Sequence, residues 1–208
     1  MPKILTSVIS LILMAQASLA QESEKPPVTI AENLRDTSPD GKFAVRMKYD
    51  QDLNDRMLGA NNPRPENNIF SLAITMIELV SLPEKEVVAT LYDAAKDFGN
   101  NFGITLLWSS DSKWCAFYSS YPRIGYTTVY HLSGKEFKAA NKPEELSPPT
   151  KGPVRNEYIS PKRWVKPGTL ELNVERVFRG DYTDADDYSA ITVRFDGKGK
   201  FQILKKIR

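Results

Sequence analysis

The amino-acid sequence predicts an all-β protein whose antiparallel sheets stack as an open sandwich, and three observations carry that prediction. Apolar residues recur with period two in Phe43-Ala44-Val45-Arg46-Met47-Lys48-Tyr49 and again at Leu170, Leu172 and Val174. Such alternation belongs to strands with one wet face. Tight-turn signals, Asp40-Gly41, Ser133-Gly134 and Asp196-Gly197, punctuate the apolar stretches,. No long stretch carries the 3.6-residue period of an amphipathic helix.

The elements follow in order. Lys3, the apolar run Ile4 to Ala15 and the small residues Ser18 and Ala20 have the layout of a signal peptide over 1–20, cut before Gln21,. The run is too short for a comfortable membrane span. Residues 21–37 read as an N-terminal arm, and 38–208 as a single β domain. Ser38-Pro39-Asp40-Gly41-Lys42 is a turn that opens the strand at Phe43. Asp50 to Asn68, rich in Asp, Asn and Pro, reads as a long excursion loop. Ile69 to Leu82 is apolar on both parities and β-branched, which favours a central strand, with Val87 to Leu91 returning as its partner,. Tyr92 to Phe98 fits one helical turn, and Gly99 to Gly103 is loop. Strands follow at Trp114 to Ser119, Tyr126 to Leu132 and Glu136 to Ala139. The stretch 141–161 holds five prolines and reads as an irregular connection,. Strands at 170–175, 191–195 and 201–203 close the chain.

Composition narrows function. Without its leader the chain has 188 residues, enough for one domain with a real core, and 27 basic against 26 acidic side chains,. So even a balance does not suit nucleic-acid binding. The basic tail Lys198, Lys200, Lys205, Lys206 and Arg208 reads as a solvated edge strand. A single cysteine, Cys115, allows no internal disulfide, and with His131 as the one histidine the usual zinc sets are missing,. A Cys115–His131 pair is the one thiol arrangement open to nucleophilic chemistry, set against a plain buried thiol. No nucleophile elbow, phosphate-binding glycine loop or dinucleotide fingerprint occurs.

Trp108-Ser109-Ser110-Asp111-Ser112-Lys113-Trp114-Cys115-Ala116-Phe117-Tyr118-Ser119 resembles the TolB-type β-propeller repeat, which is WD40-like: tryptophan, Ser-Pro-Asp-Gly-Lys, then an apolar strand containing Ala and Phe. Ser38-Pro39-Asp40-Gly41-Lys42-Phe43-Ala44-Val45 is similar to the same turn and strand start. The resemblance covers about half the mature chain and implies blade-like antiparallel sheets. Two recognisable units and a more degenerate third are fewer than the four or more blades of a closed ring, so an open partial propeller or sandwich is expected. Val45 and Met47 of the first unit are expected near Trp114, Ala116 and Tyr118 of the second.

Two groups of residues are candidate sites. Tyr118, Tyr121, Arg123 and Tyr126 crowd around one loop, and tyrosine with arginine is the chemistry of interface anchors. Core packing between sheets is the competing use of the same tyrosines. Asp184, Asp186 and Asp187 form the densest carboxylate cluster, suited to a hard cation such as calcium, though a solvated connection needs no ion. The expected function is an exported protein, periplasmic or secreted, that binds another protein or an envelope component without catalysis. No cofactor, nucleic acid or membrane span is implied. A carboxylate-based glycan hydrolase and a calcium-dependent binding module are the alternatives.

Overall fold

The computed structural model describes residues 28–59, 71–97, 103–150, 152–179 and 187–207. Among the described residues twelve strands run in chain order. They are β1 (Ile30–Arg35), β2 (Phe43–Asp50), β3 (Ile74–Ser81), β4 (Val87–Asp93), β5 (Gly103–Trp108) and β6 (Trp114–Ser120), then β7 (Ile124–Ser133), β8 (Glu136–Ala139), β9 (Val154–Lys166), β10 (Thr169–Phe178), β11 (Asp187–Phe195) and β12 (Phe201–Ile207). The all-β expectation holds. Sequence neighbours pair antiparallel throughout three four-stranded meanders: β1 to β4, β5 to β8 and β9 to β12. The second and third join into one eight-stranded sheet where β9 lies parallel to the start of β7, Ile124 opposite Glu157 and Gly125 opposite Tyr158.

The two Ser-x-Asp turns are built alike. In the first, the Ser38 hydroxyl donates to Asp40 and accepts from the Phe43 amide, while Asp40 also accepts from the Lys42 amide. In the second, Ser109, Asp111, Lys113 and Trp114 make the same three bonds. Gly41 and Ser112 occupy matching left-handed positions, φ +73° and +57°. Glycine takes that conformation freely, whereas serine does so under strain. Matched on these turns, β2 and β6 are counterparts 71 residues apart.

The meanders stack through two cores. One face of β2 and β3, including Val45, Met47, Ile77 and Leu79, packs with Cys115, Phe117 and Phe137 of the second meander. Trp114, Ala116 and Val129 join Leu170, Leu172, Val174, Ile191 and Val193 of the third. The middle meander therefore buries both faces of β6. This corrects the expected contact of Val45 and Met47 with Trp114, Ala116 and Tyr118: their neighbours on β6 have the other parity. Alternation reveals that a strand has two faces, but not which one meets which neighbour.

The outer faces carry ion pairs instead of apolar contacts. Arg46 and Lys48 both reach Glu78, at 2.7 and 3.2 Å. Lys162 and Arg163 clasp Glu171 at 2.6 and 2.8 Å. Arg46 is the counterpart of the buried Phe117, so the first meander is polar where the second is apolar. A stack ends with such a cap.

Three expectations are overturned. Residues 30–35, placed in the arm, form β1 and pair with β2 along its length. The excursion loop opens with helix α1 (Gln51–Leu58), because the Asp50 carboxylate caps it by accepting from the Leu53 amide at 2.8 Å and Gly59 ends it at φ +71°,. The connection 141–161 contains a short 3₁₀ turn, Pro143–Leu146, and the first half of β9. Pro161 is tolerated because the ladder breaks there: it faces Leu172 while Arg163 faces Glu171, leaving Lys162 as the extra residue of a bulge,. The arm before Val28 and the proposed leader lie outside the described residues.

Candidate functional site

The β6–β7 hairpin positions the predicted tyrosines and also separates them. Tyr118 stands opposite Thr127 and Tyr126 opposite Ser119, so their side chains leave the hairpin on opposite faces. Tyr126 packs against the second core beside Glu157. Burial first, then the carboxylates of Glu157 and Glu144, hold its phenol above the usual tyrosine range against the opposing pull of Arg176. It is a packing residue. Arg123 is exposed on the turn, and its carbonyl accepts from the Glu157 amide at 3.0 Å. Tyr121 closes the same turn through its amide and lines a shallow depression of 330 Å³ with Lys96, Asp97 and Ile124. The four candidates do not converge.

A different constellation forms around Tyr118. Successive strands place Ser120, Gly125, Tyr158, Glu175 and Tyr188 opposite one another from β6 to β11. The row thus runs across one face of the joined sheet. Gly125 leaves room in it for the Tyr118 phenol, which a Cβ there would displace. The Tyr118 ring therefore lies over the bare backbone of β7, toward Tyr158 and Glu175, whose electrostatic influence it feels. Burial chiefly raises its phenol, and a hydrogen bond from Ser120 partly offsets this. The Tyr158 hydroxyl donates to the Pro122 carbonyl at 2.7 Å, fixing its ring toward the turn. Tyr188 is 62% exposed. The prolines around β9 hid Tyr158 from the sequence reading, and its alignment with Glu175 and Tyr188 is set by register alone.

Behind the row, on the other face of β9 and β10, a fully buried Arg176 bonds Glu157 at 2.6 Å. It also donates to Ser147 and the Pro148 carbonyl. This network ties the 141–150 crossing to the sheet.

The remaining candidates separate. Cys115 pairs with Tyr130 and His131 with Trp114, which puts thiol and imidazole on opposite faces of the sheet. Cys115 is fully buried and its thiol is pushed far up by burial, so no nucleophilic pair exists. Asp184 and Asp186 lie outside the described residues. Asp187 opens β11 opposite Arg176. Among the described residues no three His, Cys, Asp or Glu side chains gather as a metal site. Of the depressions among the described residues, the one beside His131 has no carboxylate in its lining, the one beside Tyr121 has Asp97 and the one beside Phe201 has Asp196. Among the described residues no helix is long and apolar enough to cross a membrane. No family model and no curated protein matches the chain.

Proposed function

We propose that the chain is an exported, non-catalytic β-protein that binds another protein or an envelope component through the row Tyr118, Tyr158, Glu175 and Tyr188. The observation that carries this reading is the register that lines up Tyr158, Glu175 and the exposed Tyr188 on one sheet face, with the Tyr118 ring reaching over Gly125 beside them. Tyrosines offer large contact area with few rotors to freeze and a hydroxyl for orientation. Export rests on the leader-like residues 1–20, and the intact mass of the exported chain should therefore start at Gln21, a retained Met1 overturning it. The three front-to-back meanders and the paired Ser-x-Asp turns favour reading the units as blade-type repeats.

The test is site-specific photo-crosslinking from position 188 in the native envelope fraction. The unsubstituted surface captures a discrete species, and Tyr158→Ala with Glu175→Ala loses it at an unchanged melting temperature. Equal capture by both proteins rejects the row as the binding surface.

A further inference from the structure

At the opposite end of β7 from the tyrosines a cavity of 270 Å³ opens between two hairpin turns. His131 and Ser133 of β7 line it with Lys138 of β8 and with Gly197, Lys198 and Gly199 of the β11–β12 turn. It is seven residues along the strand from Ile124, roughly 23 Å at the usual rise, and so is separate from the tyrosine row. No carboxylate lines it. The His131 ring is held between two surfaces. The Trp114 ring lies 4.1 Å away, and the Gly197 backbone is so close that a Cβ there would meet the imidazole at 3.1 Å. Gly197 also has φ +70°, so conformation and contact both demand glycine.

The charges around the cavity are unbalanced. Lys138 and Lys198 are exposed and neither forms an ion pair among the described residues. Asp196, the carboxylate on that turn, accepts on Oδ1 from the amides of Lys198 and Lys200 and feels both of their charges, which leaves Lys138 without a counterion in the cavity lining. On the β5–β6 turn, Asp111 and Lys113 act on His131 in opposite directions. Lys138, Lys198, His131 and Ser133 thus line one cavity from two turns.

We propose that this cavity binds a phosphate group, with Lys138 and Lys198 as charge partners, Ser133 as hydroxyl donor and His131 as a third cation taken up on binding. Lysines act as mobile point charges that suit a tetrahedral dianion, where a planar carboxylate is matched by an arginine fork. In the free protein burial is the main influence on His131 and holds it below the ordinary histidine value, which favours the neutral ring. An anion that binds the protonated form more tightly must raise that value, and by reciprocity binding strengthens as pH falls.

Because His131 is the one histidine, its ring signals in an NMR titration of the untagged chain report this site alone. Sulfate is the first probe, since it stays dianionic from pH 5 to 8, and sodium chloride at equal ionic strength is the reference. The expected result is a saturable shift of the ring signals and a rise of the His131 midpoint by about one unit, equivalent to about tenfold tighter binding to the protonated form. Lys138→Gln with Lys198→Gln should weaken binding at least tenfold while the ring keeps its Trp114-shifted resonance. Glycerol phosphate and phosphatidic-acid vesicles then distinguish sources. Saturation by the former identifies a soluble phosphomonoester, and response to vesicles alone identifies a lipid headgroup. No shift beyond that in chloride, or an equal shift in the double variant, overturns the proposal.

Discussion

The hydroxyl of Ser112 accepts a hydrogen bond from the backbone amide of Asp40 at 3.0 Å. It links the two Ser-x-Asp turns through residues 72 apart in the chain and pins the first meander to the second. Nearby, the Trp108 indole donates to the Asp36 carbonyl at 2.7 Å, and Phe43 meets Phe137 edge-on at 5.0 Å. The junction is polar at the turns and aromatic just below them. Ser112 retains a strained φ because its side chain makes this bond.

Removing that hydroxyl tests the link. Ser112→Ala keeps the backbone strain and loses the bond, so it should cost about 1 kcal/mol. Gly41→Ala meets nothing within 4 Å and should cost about 1 kcal/mol or more from its positive φ alone,. Denaturant melts measure both. Equal stability of Ser112→Ala and the parent would mean the turns dock without this bond.

Asp40 makes the same turn acid-sensitive. Burial pushes its carboxyl up, but the bonds from Ser38, the Lys42 amide and Ser112 together bring it below the usual aspartate value. A lowered folded value contributes stability above the unfolded pKa, and that contribution is lost as pH falls through the folded value. Thermal melts should therefore steepen their decline below about pH 4, and Ser38→Ala should shrink that acid-dependent part.

How much of this was legible varies with the kind of signal. Asp40-Gly41 and the alternation of β2 are local, and both appear where their residues place them. The choice of neighbour is not local: Val45 meets Cys115 and Phe117 because the meanders stack front to back, which no single strand encodes. Helix α1 had readable marks, Asp50 as cap and Gly59 as stop, which the Asp- and Asn-rich composition obscured. Pro161 hid β9 because only the bulge at Lys162 shows how a proline fits that ladder. The tyrosine row suffered most, since Tyr118, Tyr158 and Tyr188 come from three strands aligned only by register.

The two cores predict a mutational contrast between strands. On β6 and β7 both faces are buried, so Phe117→Ala and Val129→Ala, which point into different cores, should each cost roughly 2 kcal/mol or more. On β10 the apolar core lies on one face, and on the other Asn173 is exposed. Leu172→Ala should lose roughly 2–4 kcal/mol, whereas Asn173→Ala on the outer face should stay within about 0.5 kcal/mol. Equal losses at 172 and 173 would mean that something covers the third meander.

Burial of Cys115 predicts silence toward thiol reagents. Its thiolate is disfavoured throughout the accessible pH range because nothing polar replaces water around it,. Intact-mass measurement after incubation with a maleimide at pH 8 should show no adduct on the native chain and one adduct in denaturant. Native labelling at a rate comparable to free cysteine would show that the first core opens.

Arg176 offers the sharpest test of how the crossing at 141–150 is held. Its guanidinium is completely enclosed and faces Glu157, itself 8% exposed, with Ser147 and Pro148 supplying further oxygens. Each ion is costly to bury alone, so the pair is a mutual requirement more than a source of net stability. Arg176→Met strands the Glu157 carboxylate in the interior and should cost roughly 3–5 kcal/mol. Adding Glu157→Gln removes the orphaned charge, and the double variant should recover a substantial part of that loss. A double-mutant cycle by denaturant unfolding reads the coupling directly. Additive losses would mean that Arg176 acts through Ser147 and Pro148 alone, and that the crossing is anchored without the ion pair.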